Sequence, residues 1–140
     1  MVIRSGQMDV FNEESHRAFE RRLVEYLRDR YGQTPVPTAA GEVPLSKLPQ
    51  VVLEKMVAYG VRKAELYGLR KQPQLAAFVT LMFLDGPRFD EDPEVKVELR
   101  DATIPDSCRM DHVCAVVPQR VWQAIRSRYD AGSWREARSV

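Results

Sequence analysis

The longest apolar segment of the chain lies near its middle, between residues 75 and 84. Nine of these ten residues are apolar, and only Thr80 interrupts them. A helix that is apolar on nearly every side is enclosed by other protein rather than laid on a surface. Pro73 suits the first helical turn and Gly86 suits the end. The pattern therefore predicts a central helix over residues 73–85.

Two amphipathic patterns precede this segment, with apolar residues three or four positions apart as on one face of an α-helix. The first predicts a helix over residues 8–31 with the stripe Met8, Phe11, Ala18, Phe19, Leu23, Tyr26 and Leu27. The second predicts a helix over residues 46–67 with the buried side Leu53, Met56, Val57, Gly60, Val61 and Ala64. Ser46 is its expected N-cap, and Gly68 suits the left-handed position after its end.

Between these helices lies the sequence GQTPVPTAAGEVP. Its prolines and glycines sustain neither a helix nor a central strand. We predict a surface connection over residues 32–45.

Beyond the central helix the pattern is mixed. The sequence Asp92-Pro93-Glu94 is typical of a helix start, whereas Val95, Val97 and Leu99 alternate as in a strand. Because no second strand-like run is available for pairing, we predict a short helix here. Two further helical stripes follow, Met110, Val113, Cys114 and Val117, and then Val121, Trp122, Ile125 and Tyr129.

Together these elements predict one all-α domain over residues 1–140, a compact bundle of about five helices around the central helix. We expect residues 133–140 to be a frayed tail. A chain of this length buries about two-thirds of its unfolded surface, so it needs no metal or disulfide to fold. Two cysteines, no secretory leader and no run long enough to cross a bilayer lead us to expect a cytoplasmic protein with no membrane partner.

The charge balance argues against a nucleic-acid partner. Twenty-one Lys and Arg against twenty Asp and Glu give a formal net charge of +1, whereas polyanion binding needs a net or clustered positive field. Basic residues do occur on the first two helices and just after the second, at Arg17, Arg21, Arg22, Arg28, Arg30, Arg62, Lys63, Arg70 and Lys71. Acidic residues lie between the basic residues of the first helix and cancel their charge. The central helix is too apolar to lie in a major groove.

No pattern of residues indicates catalysis or a cofactor. Cys108, Asp111, His112 and Cys114 are close in sequence, but C-x3-H-x-C matches no common zinc spacing. Cys114 falls on an apolar stripe, so we expect it to be buried. His16 has no recognisable nucleophile or base near it in sequence. From these patterns together we predict no catalytic residue, no metal and no cofactor.

The loop after the central helix is acidic and stiffened by proline. It lacks the spacing of an EF-hand, and capping or solvation would account for its carboxylates. It could also be a recognition loop, with Phe89 either exposed as a contact or placed in the core. We take the recognition loop as the prediction, with the candidate protein-binding residues Asp85, Pro87, Phe89, Asp90, Glu91 and Asp92.

Three segments carry a resemblance to a known family: V-I-R-x-x-Q-M at residues 2–8, G-V-R-K-A-E-L-Y-G-L at 60–69, and L-M-F-L-D-G-P-R-F-D-E-D-P at 81–93. They resemble a group of small, helical, largely uncharacterised bacterial proteins that are often encoded beside type VI secretion genes, near spike-tip (PAAR-type) proteins and toxic effectors. The chain departs from that pattern in its long proline-rich connection, in lacking a Trp after Pro93, and in its last third.

The resemblance implies a context rather than a reaction. We expect a non-catalytic accessory, an adaptor or chaperone, whose partner is a secreted effector, a spike-tip protein or a toxin. One alternative is an immunity protein, whose acidic loop would suit a basic toxin. A second alternative is an enzyme of unknown type.

Overall fold

The computed structural model describes the backbone of residues 5–138 and the side chains of residues 16–137. Within these bounds the chain forms seven α-helices and one two-stranded sheet. The helices are α1 (Ser5–Tyr31), α2 (Gln50–Leu66), α3 (Gln72–Asp85), α4 (Pro93–Leu99), α5 (Arg109–Val116), α6 (Gln119–Ser127) and α7 (Arg135–Arg138). Helices make up 68% of the chain, so the mostly helical prediction is confirmed, although the sheet makes the all-α class too strict. None of the helices described combines the length and the apolar character needed to span a bilayer.

α3 is the helix that the apolar segment predicts, and it packs against α1, α2, α5 and α6. Its side chains Leu75, Phe78, Val79, Met82 and Phe83 are at most 3% exposed. The other five residues of the apolar segment 75–84 are only partly buried. An apolar composition on all sides therefore reflects contacts with several helices rather than complete enclosure.

α2 approaches α3 closely at Gly60. A Cβ atom added there would lie 2.8 Å from Met82 Sδ and 3.0 Å from Val79 Cγ2. All six positions predicted for the buried side of α2 are buried. The helix ends as predicted, with Gly68 at a φ of 86° and the Leu69 N–H bonded back to the Ala64 carbonyl.

α1 packs its C-terminal half against α2 and the segment that follows the sheet. Phe19, Leu23, Val24 and Leu27 are buried, whereas Tyr26, expected in this stripe, is 39% exposed. The expected contacts of Met8 and Phe11 lie outside the described side chains, as does the family-like segment 2–8.

The proline-rich connection is an ordered hairpin rather than an irregular loop. Strand β1 (Pro35–Thr38) pairs antiparallel with β2 (Gly41–Pro44), and Val36 lies opposite Val43. A two-stranded ladder leaves each strand an unpaired edge, so prolines without an N–H fit here although a central strand would exclude them. Val36 is 1% exposed, so the expectation of a purely surface connection is wrong at this position.

Ser46 is not the N-cap of α2, because a 3-10 turn occupies Leu45–Lys47 and the helix begins at Gln50. The Ser46 carbonyl instead accepts a hydrogen bond of 2.7 Å from Arg28 Nη1. This contact fastens the segment to α1.

The last third of the chain forms α4 to α7. The short helix predicted after the acidic loop is α4. The two later stripes lie on α5 and α6, except for Val117 and Tyr129, which follow the ends of these helices. Residues 133–137 are not frayed, because Trp134 is 1% exposed and its ring centroid lies 4.7 Å from that of Phe83. A bulky apolar side chain that reaches the core fixes the short helix that follows it.

Candidate protein-binding site

The acidic loop, residues 85–92, joins the end of α3 to the start of α4, and both of its ends are fixed. α3 ends at Gly86, whose φ of 125° and ψ of 142° differ from the left-handed cap that the sequence predicts. A 3-10 turn follows at Phe89–Glu91. Asp92 then caps α4, because its Oδ1 accepts a hydrogen bond of 2.9 Å from the Glu94 N–H. The loop is thus a short, preorganised turn.

The two apolar residues of the loop face inward. Phe89 is fully buried, with ring centroids 4.9 Å from Phe78 and 6.1 Å from Trp122. Pro87 is also buried. The possibility that Phe89 presents an exposed aromatic contact is therefore wrong, and its role is to anchor the loop.

Asp90 ties the loop to α2. Its side chain is 3% exposed and Oδ1 lies 2.8 Å from Nζ of Lys63. Oδ2 accepts a hydrogen bond of 2.7 Å from the Tyr67 hydroxyl, and Lys63 Nζ also donates to the Pro87 carbonyl at 2.7 Å. Burial and the neighbouring Asp90 carboxylate raise the pKa of Tyr67, so this hydroxyl stays a donor.

Asp85 and Asp92 tie the loop to α6 and the residue after it. Asp85 Oδ1 accepts a hydrogen bond of 2.6 Å from Arg126 Nη1, and Asp92 Oδ2 accepts one of 3.3 Å from Arg128 Nη2. Burial raises the pKa of Asp85, while the Arg126 guanidinium acts in the opposite direction. The carboxylates of Asp85 and Asp92 are therefore structural groups, and each is paired with an arginine of the chain.

Glu91 is the acid of the loop that faces outward. Its side chain is 43% exposed and pairs with Arg88, itself 61% exposed, at 3.1 Å. An exposed pair of this kind contributes at most about 1 kcal/mol to stability and exchanges readily for other partners. Of the six residues predicted from the sequence, Glu91 is the one best placed for contact with another molecule.

A cleft of about 850 Å³ opens between this loop and residues 125–135. Its floor includes Tyr129, whose ring lies against Gly86 and whose hydroxyl accepts a hydrogen bond of 2.8 Å from Trp134. Exposed charges of both signs line it, at Arg88, Glu91, Arg128, Asp130 and Arg135. One wall of the cleft is therefore the predicted loop, and the other is formed by the C-terminal third of the chain.

Sequence reasoning did not identify the residues that hold the loop. Lys63 and Tyr67 lie in the family-like segment at residues 60–69, but that segment indicates no partner for either side chain. Arg126 and Arg128 belong to no motif. A basic residue on a helix gives a signal of charge alone, and its partner is set by how the helices pack. The cleft itself follows from that packing.

The cysteine and histidine residues considered as metal ligands do not form one cluster. Cys108 and Cys114 are both exposed, so the expectation that Cys114 lies in the core is wrong. Asp111 is exposed as well. His112 instead turns toward α4, where its Nε2 lies 2.7 Å from Glu98 Oε1.

His16 of α1 lies against α2 rather than alone on the surface. Its Nε2 is 2.6 Å from Glu65 Oε2. The nearby Glu20 is half-buried, and this burial raises the pKa of its carboxyl. The contact between His16 and Glu65 therefore joins α1 to α2.

Comparison with protein-family models, with curated protein sequences and with solved structures finds no match for the chain. The resemblance to the type VI secretion-associated group therefore stays a prediction based on the three segments quoted above.

Proposed function

We propose that this chain is a non-catalytic, cytoplasmic accessory of a type VI secretion effector cluster, an adaptor or chaperone that binds another protein at the cleft beside its acidic loop. The single observation on which this rests is that a preorganised loop and the C-terminal segment enclose one charged, open cleft. A wall that is already ordered loses little conformational entropy on binding, which favours affinity.

The character of the cleft suits a polypeptide. Arg88, Glu91, Arg128 and Arg135 are exposed at its edge, while Ile125 and Tyr129 supply buried or half-buried apolar surface. Protein interfaces combine such an apolar centre with a polar, solvent-accessible rim, and arginine and tyrosine are enriched in them. The proposed partner is a secreted effector or a spike-tip protein, as the family resemblance implies.

Charge pairing is the reason for preferring an adaptor to an immunity protein. Each of the four loop acids already has a basic partner within the chain, at 2.6 Å for Asp85, 2.8 Å for Asp90, 3.1 Å for Glu91 and 3.3 Å for Asp92. A loop neutralised in this way offers a weak field to a basic toxin. Recognition then depends on the shape and mixed charge of the cleft.

The direct experiment is a pull-down of the tagged chain against the effector and spike-tip proteins encoded beside it. The test variant is Arg88→Glu with Arg135→Glu, which changes two exposed side chains of the cleft. The matched control is Arg21→Glu with Arg70→Glu, which makes the same change of charge at exposed positions on α1 and after α2. We expect the cleft variant to weaken binding at least 10-fold, about 1.4 kcal/mol, and the control to bind normally.

Two results would contradict the proposal. One is that none of the neighbouring gene products binds the chain. The other is that the cleft variant and its control bind a partner equally well. Co-expression with the neighbouring toxin separates the alternatives, because an immunity protein restores growth whereas an adaptor changes only loading or export of the toxin.

A further inference from the structure

A second group of functional side chains lies at the junction of α4 and α5. Glu98 of α4, Asp101 just after it and His112 of α5 each place one ligand atom within 4.8 Å of the other two. All three residues are partly buried. Among the side chains that the structure describes, no other three histidines, cysteines or acids come so close.

The carboxylate of Asp101 is oriented by Thr103. Oδ1 accepts hydrogen bonds of 2.9 Å from the Thr103 N–H and 2.6 Å from its hydroxyl. Within the part of the chain that the structure describes, Oδ2 makes no hydrogen bond and is available for a further contact. Metal-binding carboxylates are commonly held in this way by a hydrogen bond from an outer residue.

The backbone that carries Asp101 is also held in place. Arg109 is 9% exposed. Its guanidinium donates hydrogen bonds of 2.9 Å to the Leu99 carbonyl and 2.8 Å to the Ile104 carbonyl. These bonds clamp the turn between α4 and α5, so the position of Asp101 relative to His112 is fixed by buried contacts. A binding site needs this kind of support from the residues around its ligands.

We propose that Glu98, Asp101 and His112 form a binding site for a divalent transition-metal ion, with Zn²⁺ as the probe. One imidazole nitrogen and two carboxylate oxygens are suitable donors for zinc, which bonds them at about 2.0–2.2 Å. Tetrahedral bonds of that length place the ligand atoms ~3.4 Å apart. His112 Nε2 and Glu98 Oε1 are now 2.7 Å apart, and the three ligand atoms all lie within 4.8 Å of one another, so small side-chain rotations reach that spacing. Water would complete the coordination on the exposed side.

The chain contains a matched control for this site. His16 and Glu65 form a similar histidine–glutamate pair, with Nε2 and Oε2 2.6 Å apart. Glu20 is near that pair, but these three residues do not bring their ligand atoms together as Glu98, Asp101 and His112 do. If a histidine–glutamate pair alone were sufficient to bind zinc, both places would bind it.

The experiment uses the full chain with Cys108→Ser and Cys114→Ser, because both thiols are exposed and thiolates compete as zinc ligands. After a chelator has stripped the protein, Zn²⁺ binding is measured by titration calorimetry and Co²⁺ binding by visible absorption. We expect one equivalent of metal per chain. His112→Ala and Asp101→Asn should each lower the affinity at least ~10-fold, whereas His16→Ala should leave it unchanged.

Asp101→Asn keeps an oxygen acceptor for Thr103, so it removes the ligand charge with little disturbance of the turn. Glu98→Gln provides a further ligand variant if His112→Ala does not fold, as judged by circular dichroism. The proposal is overturned if the serine background binds no metal stoichiometrically, or if Asp101→Asn and Glu98→Gln bind as tightly as that background. A loss caused by His16→Ala equal to that caused by the ligand variants would overturn it as well.

Discussion

Asp90 and Glu91 are neighbours in one acidic turn, yet they lie in opposite environments. The Asp90 side chain is 3% exposed and contacts Lys63 and Tyr67 of the α2 region. The Glu91 side chain is 43% exposed; it contacts Arg88 of its own turn at 3.1 Å and lies 3.8 Å from Lys63. The loop therefore has an inner side that fastens it and an outer side that is available to a partner. Acidity alone does not tell these roles apart.

The largest effect should follow from removing the apolar anchor of the inner side. Phe89→Ala deletes a fully buried ring between Phe78 and Trp122. We expect the free energy of unfolding to fall by about 4 kcal/mol, as urea denaturation would measure it. Arg88→Ala, at a mostly exposed neighbour, should change it by less than about 0.5 kcal/mol. Equal losses in the two variants would show that the loop has no anchored side.

A somewhat smaller loss is expected from the buried carboxylate. Asp90→Ala leaves Lys63 without its closest counter-ion in a site where that side chain is 13% exposed. Removing one partner of a buried ion pair costs about 3 kcal/mol, because the other charge stays desolvated. Glu91→Ala should cost less than about 0.5 kcal/mol. The two variants are compared by the midpoint and slope of urea denaturation, and a similar loss in both would contradict the division between inner and outer acids.

The parts of the fold that the sequence predicted well have local causes. Gly68 and Leu69 end α2 through backbone conformation and one contact, and Asp92 with Pro93 starts α4 through a cap and a fixed φ. The spacing of apolar residues on α2 reports directly which side is buried. Such features are encoded within a few residues of where they act.

The parts that the sequence did not predict depend on distant partners. Asp90 and Glu91 have the same local signal. They differ in the contact of Asp90 with Tyr67 and in the distance to Lys63, which is 2.8 Å for Asp90 and 3.8 Å for Glu91. Trp134 stands alone among polar neighbours, so no periodicity marked it, although Phe83 gives it a place in the core. The cleft requires α6 to lie beside the loop. The residues that line the cleft could not be predicted from the sequence, because they depend on how the helices pack.

A moderate effect is expected at the boundary between the loop and α4. Asp92→Ala removes the acceptor for the Glu94 N–H and should cost about 1 kcal/mol. Asp92→Asn keeps an N-cap acceptor and removes only the charge facing Arg128, so its cost should be smaller. Thermal unfolding followed by circular dichroism compares them. If both variants lose the same stability, the contact with Arg128 and not the cap holds this end of the loop.

The smallest effect, and the one that separates buried from exposed acids most directly, concerns pH. Burial raises the pKa of Asp85, whereas the hydrogen bonds from Thr103 lower the pKa of Asp101. A raised pKa gives a stability contribution that is present below the unfolded-state pKa and is lost as the pH rises through the folded-state pKa. A lowered pKa gives a contribution that is present above the unfolded-state pKa and is lost as the pH falls through the folded-state pKa.

Asparagine does not ionise, so the variants Asp85→Asn and Asp101→Asn isolate these two contributions. The stability of the natural chain minus that of Asp85→Asn should decrease as the pH rises from about 3 to 7, and the same difference for Asp101→Asn should increase. Urea denaturation at a series of pH values, with a chelator present to keep metal from Asp101, measures both. Opposite slopes are expected because Asp85 is withdrawn from water, whereas the Asp101 carboxylate is stabilised by hydrogen-bond donors. An increase with pH for Asp85 would mean that burial does not govern the ionisation of that carboxyl. A decrease for Asp101 would mean that the Thr103 hydrogen bonds do not govern that of Asp101.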